Sequence, residues 1–89
     1  MNRPEQQAQT FKFLLPSEKK FVQISVNKPI RLEDLKYYFE KVLGYKFFNI
    51  LLLYYLDDKL LDDSLSLLEV KELTSPKDVI EIVVKLDFQ

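Results

Sequence analysis

The side chains best placed to hold a cation or trade protons are Asp57, Asp58, Asp62 and Asp63, the one dense carboxylate cluster in the chain. Calcium loops set oxygen ligands at alternating positions around a tight glycine turn, and this stretch contains no glycine. Paired carboxylates can also do acid–base work, but they need a cleft to hold a substrate, and nothing in the pattern builds one. A solvated acidic turn is the simpler reading. Ser17, Ser25, Ser64, Ser66 and Ser75 have no histidine to activate them, since the chain has no histidine and no cysteine. The usual general base near neutral pH, the thiolate nucleophile and the commonest metal ligands are therefore missing. The expectation is a protein that is not an enzyme and carries no cofactor or metal.

Nucleic-acid binding needs a basic face interleaved with aromatics. Lys12, Lys19, Lys20 and Lys46 with Phe47 and Phe48 come nearest, and a pI near 5.4 argues against that role. The net charge of −1 hides an asymmetry. Most of the lysines and arginines fall between Arg3 and Lys46, and most of the acids fall after Phe47. Such a dipole could associate head to tail, although an unevenly charged solvated surface is the simpler reading. No apolar run reaches the roughly 20 residues of a membrane span, and the polar start is not a signal peptide. An intracellular setting, nuclear or cytoplasmic, follows as the expectation.

With 89 residues, 47% of them apolar, the chain can build one core without staples. Residues 1–10 are rich in glutamine and read as a flexible tail, leaving 11–89 as the domain. Phe11 to Leu15 and Phe21 to Val26 alternate with period two across a turn at Pro16–Lys20, which makes a hairpin. Phe11, Phe13 and Leu15 share one face of it, as do Val22, Ile24 and Val26. A helix follows, with Leu32, Leu35, Phe39 and Val42 as its inner stripe and the sole glycine, Gly44, at its end. Ile50 to Leu56 is a wholly apolar strand. Asp57-Asp58-Lys59 turns the chain, Leu60-Leu61 forms a very short strand, and Ser64 opens a short helical turn to Val70. The last strand, Val79 to Leu86, is β-branched and suits the sheet centre. This order predicts an α+β fold, a mixed sheet packed on one main helix.

The order of elements resembles ubiquitin and its relatives, the β-grasp fold. The segment KKFVQISVNKPIRLEDLKYYFEKVLGYKFFNILLLYY lies on the corresponding ubiquitin segment without a gap. That alignment places Gly44 on the glycine ending ubiquitin's helix and Leu53 on the exposed isoleucine that ubiquitin's partners grip. KLLDDSLSLLEV resembles the ubiquitin-like pattern of lysine and leucine, then acids, then a leucine-bearing turn. The acidic turn at Asp57-Asp58, the Leu-Lys-Tyr-Tyr-Phe of the helix and Ser-Leu-Leu-Glu-Val also resemble the RAWUL domain of Polycomb-group RING proteins. That likeness implies binding to partner proteins and self-association. The chain ends Lys85-Leu86-Asp87-Phe88-Gln89 without a diglycine, so conjugation through this end is not expected.

Strand parity puts Leu51, Leu53, Tyr55 and Val83 on the sheet face away from the helix, with Leu14 near their edge. A contiguous apolar patch of this kind more often marks an interface than a free surface. The leading expectation is a non-catalytic ubiquitin-like interaction module, one domain of a larger protein, that binds a protein partner through these five residues. Neither a nucleic acid, a membrane nor a small-molecule substrate is expected, and both a homodimer and a heterodimer are open. The alternative is a β-grasp domain of the Phox/Bem type, whose self-association is driven by charge. In it Lys12 of one copy would meet the acids Asp57, Asp58, Asp62 and Asp63 of the next.

Overall fold

The computed structural model describes residues 8–44 and 46–88. Strand β1 spans Gln9–Leu15 and β2 spans Lys20–Val26, joined by a 3-10 turn at Pro16–Glu18. A second 3-10 turn, Leu32–Asp34, leads into helix α1 at Leu35–Leu43. Strand β3 covers Ile50–Leu56, β4 covers Lys59–Leu60, helix α2 covers Leu67–Glu72 and β5 covers Val79–Phe88. The sheet order is β2-β1-β5-β3-β4, with β1 and β5 parallel and every other pair antiparallel. The final strand is thus the sheet centre, as its β-branched composition requires.

One sheet face closes on α1. Phe11, Phe13 and Leu15, Leu52, Tyr54 and Leu56, and Ile80, Ile82 and Val84 are buried against Leu32, Leu35 and Phe39. The ring of Phe39 meets Phe13 edge to face at 5.2 Å, an arrangement that favours the aromatic quadrupoles. The connection into α2 is laced to the start of α1 through backbone bonds. Leu32 N–H donates to the Leu65 carbonyl at 2.9 Å, and Leu67 N–H donates to the Ile30 carbonyl at 2.7 Å. At the end of α1, Gly44 has φ 84° and its N–H donates to the Glu40 carbonyl at 2.9 Å. This is the left-handed closure its position predicted.

Several boundaries differ from the sequence expectation. Strand β1 starts at Gln9, inside the stretch read as a tail, and residues 1–7 lie outside the described residues. The reason is the Gln9 side chain, which is buried and donates from Nε2 to the carbonyls of Lys77 and Asp78, tying β1 to the approach of β5. Strand β4 is Lys59–Leu60 rather than Leu60-Leu61, because Leu56 pairs with Lys59 across a two-residue turn. Helix α2 is capped by Ser66, not Ser64. Ser66 Oγ accepts the Glu69 N–H while the Glu69 carboxylate accepts the Ser66 N–H, a reciprocal capping box. Val42, expected on the inner stripe of α1, is 51% exposed. Phe47 folds into the core after the helix and Leu43 packs at its margin, so the core boundary leaves Val42 outside.

Candidate interaction surface

Strand pairing aligns one side chain from every strand on the face opposite α1. Phe21 is paired with Leu14, Leu14 with Val83, Val83 with Tyr55, and Tyr55 with Leu60. Directly paired residues project to the same side, so these five form an apolar row crossing the whole sheet. Leu53 and Leu51 extend the patch along β3 on the same parity. Phe21 and Leu60, at the two ends of the row, are 57% and 58% exposed, and Leu51 is 45% exposed. Leu14, Leu53, Tyr55 and Val83 are half-buried by their neighbours.

Charge frames the row. Lys12 Nζ lies 4.5 Å from the centre of the Phe21 ring, and Lys85 Nζ lies 4.8 Å from that of Tyr55. Both contacts are cation–π pairs that hold an ammonium against the aromatic face. Glu81, two residues before Val83 on β5, is exposed on the same face. The face thus combines an apolar centre with a charged margin.

All five residues predicted for partner binding, Leu14, Leu51, Leu53, Tyr55 and Val83, lie on this one face. Leu14 belongs in the middle of the row rather than at its edge, since it pairs with both Phe21 and Val83. Phe21 and Leu60 were missed. The hairpin register already implied Phe21, because it shares parity with Gln23 and Ser25 on the outer side of β2, whereas Leu60 needed the exact length of the β3–β4 turn.

The charged residues proposed for self-association do not act as one set. Lys12 sits in the outer face over Phe21. Asp57 and Asp58 form the β3–β4 turn, both left-handed, with φ 51° and 67°. Asp62 Oδ1 accepts hydrogen bonds from Ser64 N–H at 2.9 Å and Ser64 Oγ at 2.8 Å. The Ser64 amide first, and then its hydroxyl, holds the Asp62 carboxyl below the ordinary carboxylate range. The Asp63 carbonyl accepts the Glu33 N–H at 2.9 Å. These four acids therefore shape two turns. Among the described residues no group of His, Cys, Asp or Glu is arranged to hold a metal ion.

The basic and aromatic run at Lys46–Phe48 likewise divides. Phe47 is buried in the core and its N–H donates to Glu40 Oε2 at 2.9 Å, while Phe48 is 77% exposed. Lys36 and Glu40 of α1, outside its inner stripe, anchor this loop. Lys36 Nζ donates to the Ile50 carbonyl at 3.0 Å, and Glu40 Oε1 is 3.9 Å from Lys46 Nζ. A groove of about 390 Å³ also runs between β2 and α1, past Ile24, Val26, Ile30, Leu35 and Tyr38.

The solution structure of the UBL domain of yeast Ddi1 superposes with a TM-score of 0.60 at 18% identity, covering 98% of each chain. The fold is the ubiquitin-like β-grasp. A designed protein built on the template of human erythrocytic ubiquitin matches this β-grasp domain with a TM-score of 0.53 at 23% identity, over 91% of each chain. No family model matches the chain, and no curated protein sequence does.

Proposed function

We propose that this β-grasp domain is a non-catalytic protein–protein interaction module that presents the outer sheet face to a partner. The observation that carries this reading is the row Phe21–Leu14–Val83–Tyr55–Leu60, an apolar stripe across all five strands on the face that α1 leaves uncovered. Leu51 and Leu53 widen it. Apolar surface gathered in this way gains free energy when a partner removes it from water. The acidic turn at Asp57-Asp58, Leu35–Phe39 and Ser66–Val70 favour a RAWUL-like subclass, although most of these positions serve the core or a turn. The Phox/Bem-type alternative loses ground because the four acids are divided between two separate turns.

Affinity capture from cell lysate with the wild type and with Leu53→Ser tests the reading. Proteins retained by the wild type should be lost with Leu53→Ser while its circular dichroism stays native. An unchanged set of captured proteins would contradict the assignment of this face.

A further inference from the structure

The outer face is self-complementary in charge about its apolar row. On the central strand β5, the outward residues run Val79, Glu81, Val83, Lys85 and Asp87. Val83 lies in the row, with a carboxylate two residues before it and an ammonium two residues after it. Both Glu81 and Lys85 are exposed, and the Lys85 ammonium is held against the face by the Tyr55 ring. Each charge therefore stands about 7 Å along the strand from the row, on opposite sides of it.

Two twofold arrangements stack this face on its copy with row over row. An axis running along β5 sets Glu81 over Glu81 and Lys85 over Lys85, and like charges at a closed interface are costly; one running between β1 and β5 would instead lay Lys12 over Glu81, its direct strand partner. An axis along the row crosses β5 over its counterpart in antiparallel sense, with Val83 meeting Val83. Glu81 of each copy then faces Lys85 of the other, and symmetry makes the contact twice. The charges of β5 reject the arrangement centred on that strand and fit the second.

We propose that the domain forms a homodimer through its outer sheet face, with the twofold axis along the Phe21–Leu60 row and Glu81 of each copy paired with Lys85 of the other. The proposal rests on the reading of that face as an interaction surface and makes its occupant a second copy of this chain.

Sedimentation velocity of the purified protein over a concentration series tests it. The wild type should dimerise. Glu81→Lys and Lys85→Glu should each weaken the dimer at least about tenfold, since each creates two like-charge contacts. The exchange variant carrying both changes should restore it, because the pairs are rebuilt with reversed sign. The milder Glu81→Gln and Lys85→Gln, each with a circular dichroism melt, separate loss of pairing from loss of fold. A monomer at every concentration overturns the proposal, and so does a dimer indifferent to these charges or one that the exchange fails to restore. A monomer whose captured partner is still lost with Leu53→Ser overturns the dimer alone and leaves the interaction surface standing.

Discussion

Tyr54 and Tyr55 are neighbours in the chain on opposite faces of β3. Tyr54 is 1% exposed and its ring meets Phe13 edge to face at 6.3 Å, whereas the Tyr55 ring lies under the Lys85 ammonium on the outer side. The pleat forces this division, because successive side chains of a strand point to opposite faces. Every functional statement about this domain depends on that alternation.

The same parity separates Leu52 from Leu53. Leu52 is 5% exposed inside the core, so Leu52→Ala should cost about 2–5 kcal/mol through lost burial and the cavity left behind. Leu53 is half-buried on the outer face, and Leu53→Ser should cost roughly 1 kcal/mol or less. Denaturant titrations of the two variants check the contrast. Reversed costs would mean that the face assigned to binding is the core.

Tyr54 also carries a penalty. Its hydroxyl is buried and has no hydrogen-bond partner among the described residues. Tyr54→Phe should therefore raise stability by about 1 kcal/mol at neutral pH. Burial, and then the Asp63 charge, pushes the hydroxyl's pKa well above its ordinary value. A group whose folded pKa is raised gives stability that is fully present below its unfolded pKa, about 10 here, and that fades as pH rises beyond it. Denaturant titrations at pH 7 and at pH values above about 10 should show a steeper alkaline loss in the wild type than in Tyr54→Phe.

Gly44 has φ 84°, and a Cβ built there would meet nothing within 4 Å. Any cost of substitution is then backbone strain alone. Gly44→Val should lower stability by about 1–2 kcal/mol, and Gly44→Asn by less, since asparagine tolerates the left-handed region. Equal thermal midpoints for wild type and Gly44→Val would contradict the helix closure.

Strand order, face parity and the helix stop were legible in the sequence because each rests on a local period or a single residue. The exceptions have long-range causes. Gln9 joined β1 through carbonyls far along the chain, and Phe47 left the loop for the core when Glu40 accepted its amide proton. The start of α2 was misplaced because two serines compete there, and only Ser66 has glutamate three residues on. The five-strand row was half legible. Tyr55 and Val83 follow from strand parity and Phe21 from the hairpin register, whereas the central place of Leu14 needed the β1–β5 pairing and Leu60 depends on a two-residue turn whose residues are both aspartate.

That turn is itself strained. Leu56 pairs with Lys59, and Asp57 and Asp58 both hold positive φ, the geometry of a type I′ hairpin. Such turns favour Asn-Gly or Asp-Gly, since glycine adopts φ above zero without steric cost. Asp58→Gly should raise stability by roughly 0.5–1 kcal/mol, visible as a higher thermal midpoint.

The most direct test of the interaction surface is chemical-shift mapping of the isotope-labelled domain with its captured protein partner. The account predicts that the shifted amides cluster around Leu14, Phe21, Leu53, Tyr55, Leu60 and Val83. Shifts confined to Gln23–Val26 and Tyr38, along the groove between β2 and α1, would contradict it.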